Sequence, residues 1–218
     1  MAGVGALVSM GGDRIVAPYV TARSVEQDLQ CSLVVRPGGL GVGYANELPD
    51  DRDDRGVLWR KVAERHGEGR PEFARVHPAR QRRAMTRLLC QVCGGSADRS
   101  GDGVLWLMRD HREDWPRWPE GMASVEPPVC AGCVAISVRR CPALQRGAVA
   151  VRVRDFAVAG VRGTLYRPGS FAPVPVGWAN LAYGDPGIHW MVAVALIREL
   201  RGCSFVSFEE LCDAVGAS

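Results

Sequence analysis

Apolar positions along the chain follow two periods. Val149, Val151 and Val153 alternate with Ala150, Arg152 and Arg154, the two-residue repeat of a strand with one buried face. Ile15-Val16, Tyr19-Val20 and Ser32 to Val35 are short β-type runs, and Gly38, Gly39, Gly41 and Gly43 supply turns among them. Val104 to Met108 reads as one arm of a hairpin, and Leu165-Tyr166 as a segment that pairs back. The second period is helical. With Pro78 near its first turn, Ala79 to Leu89 sets Met85, Leu88 and Leu89 on one face and Arg80, Arg83 and Arg87 on another. Residues 57–66 read as a short helix. Asp185-Pro186 offers an N-cap and a proline at the first helical position, which predicts a buried helix from there to Arg201, stopped by Gly202. Ser207 and Glu210 have capping-box spacing, with Val206 and Leu211 as the staple of a last helix ending near Gly216.

Composition narrows the class. At 218 residues, 47% hydrophobic and 23% charged, the chain has globular composition and enough length for its own core, which excludes disordered, collagenous and coiled-coil readings. The most apolar run, Met191 to Ile197, is far short of the ~18 residues that cross a bilayer, so no membrane is expected as a partner. The first residues lack the basic start and longer apolar block of a signal peptide, which predicts a cytoplasmic protein whose thiols stay reduced. The net charge of +3 implies no particular partner. All but one of the 27 basic residues are arginine, and the only basic block, net +6 over residues 57–89, precedes the first cysteine pair.

Eight cysteines fall below the ~8–10% of a disulfide scaffold. Four of them form two pairs, Cys90-Gln-Val-Cys93 and Cys130-Ala-Gly-Cys133, with 36 residues between them. A two-residue spacer lets one tight turn aim two sulfurs at a point, and four thiolates about 2.3 Å from Zn²⁺ make a closed, structural tetrahedron. Gly94-Gly95 permits positive φ beside the first pair. The second pair opens an expected helix, Ala131 to Arg140, ended by Pro142. Cys141 lies eight helical residues beyond Cys133, about 12 Å away, too far to share the ion. Cys31, Cys203 and Cys212 read as packed thiols.

A knuckle, a hairpin and a ligand pair at a helix start resemble the treble-clef and zinc-ribbon superfamilies over residues 88–142, and the whole chain resembles small zinc proteins of GC-rich actinobacteria. The treble clef is also the core of HNH-type nucleases. Asp110-His111, between the pairs, resembles that family's Asp-His, which implies a histidine that activates water beside a divalent metal. The chain departs from the family in having no asparagine between Asn46 and Asn180 and no histidine after Cys133 on the helix.

Two surfaces suit a partner. Arg80, Arg82, Arg83 and Arg87 form a candidate phosphate-contacting helix, against the alternative of a solvated face. Trp115, Arg117 and Trp118 suit base stacking or a protein hot spot, against the alternative of tryptophans folded onto the zinc module as its core. The expectation is an α+β fold: β-containing residues 1–78, a basic helix and treble-clef-like four-cysteine module over 79–142, and a β-hairpin with a helical C-terminus over 143–218, the flanks sharing one domain. The expected function is non-catalytic and regulatory, with structural Zn²⁺ and a protein or nucleic-acid partner. The alternative is a divergent nuclease using Asp110 and His111. Oligomeric state stays open.

Overall fold

The computed structural model describes residues 17–211. The expected strand at Ile15-Val16 and the end of the last helix lie outside them. In chain order the elements are β1 (Thr21–Arg23), β2 (Leu33–Val35), β3 (Val42–Tyr44), β4 (Leu58–Trp59), β5 (Pro71–Val76), α1 (Pro78–Arg87), β6 (Arg99–Ser100), β7 (Gly103–Arg109), β8 (Met122–Ser124), α2 (Ala131–Arg140), β9 (Ala148–Asp155), β10 (Val158–Arg167), β11 (Val174–Ala182) and β12 (Met191–Val206).

The core is an eight-stranded sheet with strand order β11-β10-β12-β9-β7-β6, to which β4 and β8 add along β12. Two ribbons, β1 with β5 and β2 with β3, stand beside it. The glycine-rich segment after Val35 turns between β2 and β3, as its composition predicts. The alternating valines of β9 are buried, paired to β7 from Val104↔Val153 through Arg109↔Ala148. β7 is covered on both faces. Val104, Trp106 and Met108 join the β9 valines in one core, while Leu105 and Leu107 face another with Ala150, Val129 and Val134 of α2. A strand buried on both faces reads as an uninterrupted apolar run, which is what residues 104–108 show.

That same rule overturns the expected C-terminal helix. Asp185 does cap a turn, its carboxylate accepting from the Gly187 N–H at 2.7 Å, but the turn is a five-residue 3₁₀ helix, Pro186–Trp190. The apolar stretch beyond it is β12, sixteen residues long. Met191–Arg198 pairs with β10, with β4 on its other edge at Val192–Ala193; Arg198–Leu200 then pairs with β8 and Arg201–Val206 with β9. Side chains of both faces are largely buried as far as Leu200, and those beyond it are exposed or half-buried. Apolar on every side is the signature of a central strand as much as of a buried helix, and Gly202 sits inside the strand with φ +62°. The short helix expected at 57–66 is likewise absent. Leu58–Trp59 runs parallel to Val192–Ala193, and the chain beyond is pinned irregularly, Leu29 N–H to Lys61 O at 3.0 Å and Ala63 N–H to Gln27 O at 3.0 Å.

The sheet crosses the boundaries expected at 78/79 and 142/143: β4 comes from the first segment, β6, β7 and β8 from the second and β9 to β12 from the third. The last helix begins where its capping box predicts. Glu210 N–H donates to Ser207 Oγ at 3.1 Å, and Ser207 N–H to Glu210 Oε2 at 3.0 Å, with Val206 packed near Leu211.

Candidate metal centre

The first cysteine pair is aimed by the end of α1. Leu88 caps that helix in the left-handed conformation (φ 52°, ψ 55°), its N–H returning to Ala84 O, and the chain doubles back. Leu89 and Ser96 then form an antiparallel bridge that closes the turn. Inside it Cys90 N–H donates to Gly95 O at 2.6 Å, Gly94 N–H to Cys90 O at 2.9 Å and Val92 N–H to Cys90 Sγ at 3.4 Å. Gly94 has φ +76°, and a Cβ there would lie 2.9 Å from Tyr19 Cδ2, so conformation and space both call for glycine. The turn is held from two further directions, by Tyr19 N–H to Val92 O at 2.8 Å and by Gln91 N–H to Pro128 O at 2.9 Å.

The second pair is placed by α2. Cys130 is its N-cap residue, Cys133 lies in its first turn, and Cys133 N–H donates to Cys130 O at 3.0 Å. Cys141 closes the other end of α2, away from the cluster, as the rise per residue requires. The four Sγ atoms of Cys90, Cys93, Cys130 and Cys133 all lie within 4.8 Å of one another, and Cys93 Sγ is 3.8 Å from Cys130 Sγ. Sulfurs about 2.3 Å from one ion at tetrahedral corners sit about 3.8 Å apart, so the spacing fits a thiolate-held metal ion. Cys90 is buried, Cys130 and Cys133 half-buried and Cys93 exposed.

Electrostatics argue the same way. Hydrogen bonds from the Cys130 and Cys133 thiols draw the Cys90 thiol far down, while the Cys133 thiol is pushed far up by its contacts with Cys130 and Cys90 and by burial. Four neighbouring sulfurs cannot all ionise unaided, and a divalent cation at their centre removes that conflict. Among the described residues this is the one group of three or more cysteine, histidine or acidic side chains that could hold an ion.

The other expected site residues are scattered. Arg80 is a correction: it is fully buried and unavailable to a phosphate. Its guanidinium donates to Glu26 Oε1 at 2.6 Å, Glu26 Oε2 at 2.7 Å, Tyr19 O at 2.8 Å and Thr21 O at 2.9 Å. Arg83 pairs with Glu64 at 3.0 Å, and Arg82 lies 4.6 Å above the Trp59 ring. Only Arg87 remains exposed without such a partner among the described residues, so the four do not form one basic platform. Trp118 is the second correction. It is only 4% exposed and packs in the core beside Trp106 and Leu200, so it is not a contact surface. Trp115 is 42% exposed and meets Trp118 edge-on at 6.4 Å between ring centroids, while Arg117 has φ 66° in the turn between them. Asp110 is tied to Arg112 at 2.6 Å, which holds its carboxyl below the usual range, and His111 Nδ1 contacts the Asp114 carboxylate.

Sequence reasoning missed Glu26, the anion of Arg80. It also missed Gln81, buried in α1, whose side chain donates to Val125 O at 2.7 Å and Leu196 O at 3.0 Å and accepts from Leu196 N–H at 2.9 Å. Neither carries a local signal, because their partners are 44 to 115 residues away. Compared with known family models, with curated proteins and with solved structures, the chain has no match.

Proposed function

We propose that the protein is a non-catalytic, zinc-stabilised adaptor or regulator of the cytoplasm that binds a partner protein. The observation that carries the zinc assignment is the gathering of four sulfurs, from a knuckle and from a helix start, within 4.8 Å. Four soft thiolates in a tetrahedral set favour Zn²⁺ over harder cations and leave no open position for substrate, so the ion's work is folding. A knuckle followed by a strand and a ligand pair on a helix N-terminus is also the treble-clef order, and this reading takes the module as one of that kind.

A protein partner is favoured over nucleic acid by what the candidate surfaces hold. Of the candidate arginines of α1, Arg80 is buried, Arg83 is paired and Arg82 is stacked, leaving only Arg87 exposed, whereas Trp115 and Phe205 are both exposed, both meet the Trp118 ring, and Arg112 lies 5.3 Å above the Phe205 ring. Exposed aromatics beside an arginine suit a protein interface. In the nuclease alternative His111 would need further ligands beside it, and its neighbours are Asp114 and the Trp118 ring.

The test joins metal analysis to an activity assay. One zinc per chain, bound through four thiols, together with no cleavage of DNA by magnesium- or manganese-supplemented protein supports the reading. Cleavage that disappears in His111→Ala overturns the non-catalytic part, and metal-free protein that resists a strong chelator overturns the zinc part.

A further inference from the structure

A groove separates the β1–β5 ribbon from the face of the large sheet that carries Arg162, Trp178 and Val194. It encloses about 360 Å³, within the range of small-molecule sites. Its lining is largely apolar, with Val62, Val76, Pro78, Val125, Val194 and Ala195. Gln81 also lines it, with its amide occupied by main-chain partners, so the lining presents no unanswered polar group there. A second cavity of about 280 Å³ also borders the Asp28–Arg60 pair and adds Tyr166 and Leu33 to the walls.

The rim is cationic, and its charges are unequally matched. Arg60 is held by Asp28 through both carboxylate oxygens, and Arg75 by Glu72 at 2.5 Å. Arg162 is exposed, donates from Nε to the neutral Asn180 Oδ1 at 2.8 Å, and has no carboxylate partner among the described residues. Asp28 is the only acidic residue in the lining, and Arg60 already neutralises it. Beside Arg162 stands Trp178, 65% exposed on the adjacent strand, where Thr164 faces it across the pair. One uncompensated guanidinium, an exposed indole and an apolar trough match a molecule with one anionic head and an apolar body.

We propose that this groove binds a small organic acid with an aliphatic chain, its carboxylate on Arg162 and its chain along Val194, Ala195 and Val76 beneath Trp178. Arg162 offers the guanidinium fork that suits a carboxylate, and the trough removes the chain from water. None of the four cysteines lines the groove, and the inference stands independently of the metal assignment.

Decanoate is the probe, with decanol as its uncharged counterpart, each titrated into the zinc-loaded full chain by calorimetry. The expected result is saturable decanoate binding at one site, about tenfold tighter than decanol. Arg162→Gln is expected to remove that difference while leaving decanol binding, zinc content and melting temperature unchanged. Ala74→Trp, at an exposed position that lines the groove, is expected to abolish binding of both. Absence of saturable decanoate binding, equal affinity for decanol, or decanoate binding unaltered by either variant each overturns the proposal.

Discussion

Arg80 of α1 and Glu26, in the loop after β1, form an ion pair with both side chains at 0% exposure, joined by two hydrogen bonds of 2.6 and 2.7 Å. Two main-chain donors complete the carboxylate's shell, Arg23 N–H at 2.8 Å and Arg65 N–H at 3.0 Å. The pair ties the N-terminal ribbon to the helix that leads into the first cysteine turn. Removing one partner of a buried pair leaves an uncompensated charge, at a cost of about 3–5 kcal/mol. Glu26→Gln is therefore expected to lower unfolding free energy by that amount in urea titration, and the double change with Arg80→Met is expected to cost less than Glu26→Gln alone.

The same neighbourhood sets the acid side of the stability curve. Burial by itself raises the Glu26 carboxyl, but the hydrogen bonds from Arg80, Arg23 and Arg65 outweigh it and bring the pKa from 4.5 to about 2. A carboxyl depressed in the folded state stabilises above its unfolded pKa, and that contribution, on the order of 3 kcal/mol, is lost as pH falls from about 4.5 toward 2. His77, 4.0 Å from Glu26 and fully buried, is pushed down by burial and then by Arg80. Its Nε2 faces Ala63 O at 3.3 Å, while Nδ1 is buried without a partner, so a second proton would have no acceptor. Nearby Glu64 is also held below the usual carboxylate range, first by its hydrogen bond from Arg83. His77 thus begins to withdraw stability as pH drops below 6.5 and Glu26 deepens the loss below 4.5. Urea midpoints from pH 8 to pH 3 are expected to show both phases, the first shrinking in a His77→Gln background, where His66, also held low by burial, supplies what remains.

Metal removal has a predicted signature. Structural zinc in small zinc-finger peptides contributes about 10–16 kcal/mol to folding. Loss of one ligand in Cys90→Ser or Cys133→Ser is expected to abolish stoichiometric zinc and lower Tm by more than about 10 °C, a shift corresponding to at least about 3 kcal/mol for a chain of this size. Cobalt substitution is expected to give the visible bands of a tetrahedral thiolate site, absent in either variant.

Gly94 couples the knuckle to Tyr19. Gly94→Ala combines a strained positive φ with a Cβ 2.9 Å from the Tyr19 ring, an expected loss of about 1–3 kcal/mol. Zinc competition with a chromogenic chelator is expected to show weaker retention, and Tyr19→Ala in the same background is expected to recover part of it by removing the clash.

Gln81 supplies a strand edge with a substitute partner. Its amide serves the N–H and C=O of Leu196 and the C=O of Val125, all from one side chain. Gln81→Leu orphans two buried main-chain groups of Leu196 and the half-buried Val125 C=O, and is expected to cost about 3 kcal/mol in urea unfolding.

What the sequence disclosed followed the range over which its signals act. Cys90, Cys93, Cys130 and Cys133 were legible because ligand spacing is local and each pair lies on its own turn. The capping box at Ser207 and the strand from Val149 to Val153 were legible for the same reason. Met191 to Arg201 was misread because burial on both sides erases periodicity, and Asp185-Pro186 caps a short 3₁₀ turn as readily as a long helix. The arginines of α1 looked like one solvated stripe, but Glu26, 54 residues before Arg80, draws one of them inside. Trp115 and Trp118 are three residues apart and differ in fate because only Trp118 reaches the core beside Trp106.

Strand β12 is synthesised after every other strand described, yet it is the member that both halves of the large sheet share. Until it emerges from the ribosome, the β10–β11 hairpin and the β7–β9 pair each wait with an open flank, and the parallel register with Leu58–Trp59 has no template. The large sheet is therefore completed only once Met191–Val206 is available, and a nascent chain halted short of Met191 leaves the edges of β10 and β9 open to mispairing with a neighbour.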